Sequence, residues 1–106
     1  MQIVIRSKDV VLSDRDHGYI ERKLGNLKKF SGKVSDESSI VHVDVERPVD
    51  PALRGKNGIG IRAQIHLPAD SFYVDVTGAT VTEAVDGIFE KAQRHIEKYK
   101  AKTIRH

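Results

Sequence analysis

The chain has 106 residues, of which 39% are hydrophobic and 31% are charged, and this balance predicts one domain that buries its own core. It contains no cysteine, which excludes disulfide frameworks, thiolate zinc sites and cysteine nucleophiles. The formal net charge is +3, and no apolar run is long enough to span a membrane. Because residues 1–9 also lack the features of a secretory signal, we infer a cytoplasmic protein.

The first part of the chain predicts a strand followed by an amphipathic helix. Apolar and polar residues alternate over Gln2–Ser7, which is typical of a strand. Ser13 is a suitable N-cap, and aliphatic residues then recur at helical spacing, at Ile20, Leu24 and Leu27. We therefore expect a helix over Asp14–Phe30, followed by a polar loop over Lys33–Ser39.

The middle of the chain predicts three strands. Strict alternation of valine with polar residues over Ile40–Glu46 is the clearest strand pattern in the sequence. The segment Arg47–Gly58 is rich in proline and glycine and should connect antiparallel strands. The segments Ile59–Leu67 and Phe72–Val76 should then form a hairpin.

The last part of the chain predicts a long helix and completes the fold. Thr80–Glu83 has the form of a capping box, and the helix should continue from there to about Lys102. Its apolar residues recur on one side, at Val81, Val85, Ile88, Ala92, Ile96 and Tyr99. The order β-α-β-β-β-α predicts an α+β fold in which both helices pack on one face of a four-stranded sheet, like a double-stranded-RNA-binding domain with an added strand.

The last helix also carries a row of cations, which we name the C-terminal stripe. Steps of three and four residues align its members on one side of the helix, opposite the apolar residues: Lys91, Arg94, Lys98, Lys102 and Arg105. A stripe of this kind can be no more than a solvated face, and the helix dipole favours cations in the last turn. The stripe begins three turns earlier, which favours binding to a polyanion.

The first helix offers a second basic surface. Arg15, Arg22 and Lys29 lie opposite its aliphatic residues, while Lys23 and Lys28 flank them. If the helices pack side by side, their outward faces should join into one cationic ridge or cleft suited to phosphates. Neither surface is interleaved with exposed aromatic residues, which favours recognition of an RNA backbone over base stacking.

Residue patterns for catalysis or for metal binding are not found. None of the five histidines is spaced from another as in a helical metal site, and Asp44 and Glu46 fit the polar side of a strand with one buried face. The glycines near position 58 do not precede a helix, so no phosphate-binding loop is indicated. We therefore expect no enzyme, metal, cofactor or small-molecule substrate.

Several segments resemble the ribosome hibernation promoting factor family, which includes the ribosome-associated inhibitor of the cold-shock response and is also labelled sigma-factor modulation protein. They are Tyr19–Phe30, Ala63–Pro68, Ala84–Asp86 and Glu90–Lys100. The resemblance implies a protein that binds the small ribosomal subunit between head and body, overlaps the messenger RNA and tRNA sites, and reversibly stops translation in stationary phase or stress. Thr80 and Thr82 depart from the family, which has an acidic and an aromatic residue at this point.

The resemblance places RNA contacts on cations of both helices, and the basic faces described above add two more. The candidate RNA-binding residues are Arg22, Lys23, Lys28, Lys29, Lys91, Arg94, Lys98, Lys100 and Lys102. A general double-stranded RNA-binding module and a protein-interaction regulator of transcription remain alternatives. Long members of the family add a domain that dimerises ribosomes, so the chain is either a short form or an N-terminal domain whose last few residues form a tail or a shortened linker.

Overall fold

A computed structural model describes residues 1–29, 39–47, 58–67 and 70–104, with side chains up to residue 98 in the last helix. Its elements are β1 (Gln2–Lys8), α1 (Asp14–Gly25), a 3-10 helix (Asn26–Lys29), β2 (Ile40–Glu46), β3 (Ile59–Leu67), β4 (Asp70–Gly78) and α2 (Val81–Ile104). The α+β class and the predicted order of strands and helices are confirmed.

The four strands form one mixed sheet in the order β1-β2-β3-β4. Strand β1 runs parallel to β2, and the crossover between them contains α1. Strands β2 and β3 are antiparallel, as predicted, and β3 and β4 form the predicted hairpin with Leu67 opposite Asp70. The sheet has two edges, β1 and β4, and the long helix α2 packs mainly beside the β4 end.

One face of the sheet carries the core. Alternation places Val41, Val43 and Val45 of β2 inward, and all three are buried against aliphatic residues of β3. Both helices cover this same face, with Ile20, Leu24, Leu27, Ala84, Val85, Ile88, Ala92 and Ile96 buried in a single cluster. Burial of each larger aliphatic side chain is worth about 1.5–3 kcal/mol, so packing on the sheet holds the helices in place.

The helix starts follow the capping signals in the sequence. The Ser13 hydroxyl accepts from the Asp16 amide at 3.0 Å, and the Asp16 carboxylate accepts from the Ser13 amide at 3.2 Å. At the start of α2 the Thr80 hydroxyl accepts from the Glu83 amide at 3.1 Å, while the Glu83 carboxylate accepts from the Ala79 amide at 3.3 Å. These bonds satisfy backbone donors that lack a partner within the helix.

Four elements differ in their bounds from the prediction, and the smallest difference is in β1, which ends at Lys8 rather than Ser7. Helix α1 ends at Gly25 rather than Phe30, because the chain tightens into a 3-10 turn in which Leu27 still reaches the core. Strand β4 is longer than Phe72–Val76, since its backbone pairs with β3 from end to end. Helix α2 continues to Ile104 rather than Lys102.

Some predictions lie outside the described residues. They concern Phe30, most of the loop after it, the connection over residues 48–57, Arg105, and the side chains of Tyr99, Lys100 and Lys102. Within the described part of the chain, neither α1 nor α2 has an apolar stretch that could cross a lipid bilayer.

Candidate nucleic-acid interface

The cations of α1 and its 3-10 extension face in different directions. Arg22 is exposed, with its guanidinium carbon 5.5 Å from the centre of the Tyr19 ring. Lys28 and Lys29 are exposed, and Lys28 borders a shallow depression next to Met1 and Ile3 of the β1 edge. Arg22, Lys28 and Lys29 are therefore open to solvent, as a phosphate-binding surface requires.

Lys23 is the member of this set that turns inward, toward α2. Its ammonium nitrogen lies 3.8 Å from the Asp86 Oδ1 atom and 4.8 Å from the centre of the Phe89 ring. The side chain is only 33% exposed. Lys23 therefore places its charge at the contact between the two helices, with part of its side chain still open to solvent.

The C-terminal stripe lies beside the edge of the sheet. The Lys91 ammonium donates to the Asp75 carbonyl oxygen of β4 at 3.0 Å, and Arg94 forms an ion pair with Glu90 at 2.7 Å. Lys98 is exposed, and the backbone of α2 continues past Lys100 and Lys102. Lys91 is exposed, which agrees with the prediction that the stripe faces away from the core, and its side chain also contacts the backbone of the edge strand.

The expected single cationic ridge is wrong, because the two basic surfaces lie on different sides of α2. Helix α1 contacts α2 along Asp86 and Phe89, whereas Lys91 lies against β4. At 3.6 residues per turn, Lys91 is about 140° around the helix from Asp86. The helical side of the domain thus presents two separate basic surfaces with exposed acidic residues of α2 between them: Asp86, Glu90 and Glu97.

Between the helices lies a cluster that we name the helix seam, formed by Tyr19, Arg22, Lys23, Asp86 and Phe89. The Tyr19 hydroxyl donates to Asp86 Oδ1, the same oxygen that Lys23 approaches. This hydrogen bond raises the pKa of the Tyr19 phenol above its ordinary value, with smaller contributions from burial and from the charge of Asp86. The sequence offered no signal for the pair, since its members are 67 positions apart.

The face of the sheet opposite the helices has a different electrostatic character. Arg6 pairs with Asp44 at 3.0 Å and Arg62 with Asp75 at 2.8 Å, and Asp44 is the register partner of Arg62. These four residues form a row of alternating charge across all four strands. The interpretation of Asp44 as the polar side of a strand with one buried face is confirmed, and this row carries no net positive charge.

Three of the described histidines, His42, His66 and His95, make local side-chain contacts. The His42 and His66 rings meet edge to face at 5.7 Å, and His66 Nδ1 lies 3.0 Å from the Ser71 hydroxyl. His95 stacks on Phe72 and lies 3.0 Å from an Asp70 carboxylate oxygen, which ties α2 to β4. In the described ranges, no group of three or more histidine, aspartate or glutamate side chains is placed to hold a metal ion.

A family model described as sigma 54 modulation protein / S30EA ribosomal protein matches residues 3–104 of this chain. The chain belongs to this family. The resemblance noted from the sequence is therefore confirmed for the sigma 54 modulation protein / S30EA family. No curated protein sequence is significantly similar to the chain.

Solved structures similar to this member of the S30EA family share its fold. A ribosomal subunit interface protein from Coxiella burnetii is 22% identical, with a TM-score of 0.77, and the match covers 95% of this chain and 99% of that one. The N-terminal domain of Thermus thermophilus Protein Y is 16% identical, with a TM-score of 0.71 and coverage of 92% and 94%. At these identities the likeness establishes the arrangement of strands and helices alone.

Proposed function

We propose that the protein binds the small ribosomal subunit and stops translation by occupying the channel for messenger RNA and tRNA. The observation that carries the proposal is the match of a ribosomal protein family to residues 3–104, in a chain whose exposed cations gather on the helices. The partner is ribosomal RNA, bound mainly through its phosphates. The protein would act in the cytoplasm, in stationary phase or under stress.

Two separate basic surfaces suit a protein that blocks a channel. The first contains Arg22, Lys28 and Lys29, and the second contains Arg94 and Lys98, with Lys100 and Lys102 further along α2. Because they lie on different sides of α2, they can contact two RNA segments at once. A domain held between two segments excludes any other ligand that needs the space between them.

Inhibition of this kind needs no chemical step, because it rests on occupancy. About six phosphate contacts would make affinity fall on the order of a thousandfold between about 50 and 200 mM salt. Arg94 has an internal partner in Glu90 and must exchange that ion pair for a phosphate on binding. Binding should therefore be reversible and strongly dependent on salt.

The test is sedimentation of the purified protein with isolated small subunits, with and without tRNA as competitor. We expect Arg94→Glu with Lys98→Glu to abolish co-sedimentation, because both side chains are exposed on α2. A matched control reverses two exposed cations of β1, Arg6→Glu with Lys8→Glu, which lowers the net charge by the same amount and should leave binding largely unchanged.

Each alternative function has its own outcome in this experiment. Equal affinity for small subunits and for any long RNA duplex would indicate a general double-stranded RNA-binding module. Binding to a protein partner that is unaffected by Arg94→Glu with Lys98→Glu would indicate a protein-interaction regulator of transcription. Failure of the unchanged protein to bind small subunits at low salt would contradict the proposed function.

A further inference from the structure

The helix seam contains an acidic group at a place where a phosphate-binding surface should have none. Asp86 is 49% exposed, and it lies between the two basic surfaces of the helical side. A carboxylate repels phosphate, so Asp86 weakens any contact that the seam could make with an RNA backbone. Its position calls for a ligand group that donates a hydrogen bond.

We propose that the helix seam binds an unstacked cytosine or adenine through its exocyclic amino group and the adjacent ring nitrogen, while the other cations of the basic surfaces on either side hold the phosphates. The inference rests on the proposed function and adds base recognition to it. Asp86 and Lys23 supply an acceptor and a donor side by side, which matches the edge of cytosine or adenine.

One oxygen of the Asp86 carboxylate is available to accept a hydrogen bond from the base. The contacts of Asp86 with Tyr19 and Lys23 both involve Oδ1, and among the described residues Oδ2 has no hydrogen-bond or ion-pair partner. Oδ2 can accept from the amino group of cytosine, while the Lys23 ammonium donates to the neighbouring ring nitrogen. Uracil has no amino group, and its ring N–H lies between two carbonyl oxygens, so a carboxylate that accepts from this N–H also faces a carbonyl oxygen that repels it.

The seam also offers a flat surface for the plane of the base. The Arg22 guanidinium lies over the Tyr19 ring, with 5.5 Å between the guanidinium carbon and the ring centre, and Arg22 is exposed. Unstacked bases in RNA complexes stack on arginine and on aromatic side chains. Tyr19 also holds Asp86 through its hydroxyl, so the stacking surface and the hydrogen-bonding edge are joined.

The experiment compares binding of fluorescent oligocytidylate and oligouridylate of equal length, at one salt concentration. The unchanged protein should bind oligocytidylate about fivefold more tightly than oligouridylate, which is the lower end of the discrimination between bases that one such contact provides. Asp86→Ala should remove the preference. Glu97→Ala, which removes an exposed acid from the same helix, should tighten binding to both and keep the preference.

A second variant separates base recognition from a role in holding the helices together. Tyr19→Phe loses the hydroxyl contact but keeps the carboxylate and the ring, so it should retain at least part of the preference. Equal binding of the two oligonucleotides by the unchanged protein would overturn the inference. So would a preference that survives Asp86→Ala.

The same proteins, sedimented with small subunits, distinguish this inference from the proposed function. Preference for oligocytidylate without sedimentation would contradict ribosome binding and support base recognition by the seam. Sedimentation without any preference would support the proposed function and overturn the inference about the seam.

Discussion

Replacing Gly87 by alanine should destabilise the protein, although the same change usually stabilises a helix. In the interior of a helix, alanine is more favourable than glycine by about 1 kcal/mol. At Gly87 a β-carbon would lie 2.7 Å from Val76 Cγ1 and 3.2 Å from Val76 Cγ2. Carbon atoms normally approach no closer than about 3.5 Å, so α2 must move away from β4 or Val76 must leave its rotamer.

The size of the effect follows from comparison with a glycine that has free space around it. Overpacking of this kind costs about 1–3 kcal/mol. Gly18 lies within α1 and a β-carbon there meets no atom within 4 Å, so Gly18→Ala should gain about 0.5–1 kcal/mol. We therefore expect Gly87→Ala to be less stable than Gly18→Ala by about 1–3 kcal/mol.

The assay is urea unfolding followed by circular dichroism, with free energies taken by linear extrapolation. Val76→Ala supplies a second test, because it removes the atoms that the new methyl group meets. In the Val76→Ala background, Gly87→Ala should become stabilising by about 1 kcal/mol. Equal stabilisation by Gly87→Ala and Gly18→Ala in the wild-type background would refute the reasoning.

Further predictions concern the core, a helix cap and pH. Ile88→Ala should lower the free energy of unfolding by about 2–5 kcal/mol, whereas Val11→Ala, at a side chain 96% exposed, should have almost no effect in the same urea assay. Ser13→Ala should cost about 1 kcal/mol through loss of its bond to the Asp16 amide, and restoration by Ser13→Asp would confirm the capping role. The hydrogen bond to Asp86 raises the pKa of Tyr19 in the folded state above the ordinary tyrosine value of about 10. The stabilisation from this bond is therefore complete below about pH 10 and is lost as the pH rises through the raised pKa. Tyr19→Phe should therefore be less stable than wild type near neutral pH, and unfolding at a series of alkaline pH values should show the difference closing; a constant difference would contradict this.

The local patterns of the sequence predicted the secondary structure because they depend on neighbours a few residues apart. Alternating valines over Ile40–Glu46 predicted a strand with one buried face, and the Thr80 hydroxyl predicted the start of the second helix. The end of the first helix was missed at Gly25, because the 3-10 turn that follows keeps Leu27 in the core and therefore preserves the apolar spacing. The parallel pairing of β1 with β2 was not predicted, since strand order depends on contacts between distant segments.

The residues of the candidate site were likewise predicted in part from the sequence, while their contacts became known only from the tertiary structure. Spacing alone placed the cations Arg22, Arg94 and Lys98 on exposed helix positions, because a helix repeats every 3.6 residues whatever its surroundings. The packing of two helices on one sheet decided that Lys91 meets the β4 edge and that Asp86 meets Lys23. Those contacts join residues far apart in the chain. The buried face of each helix fixes how the helix is rotated on the sheet, and this rotation decides which residues meet the other helix, the sheet edge or solvent.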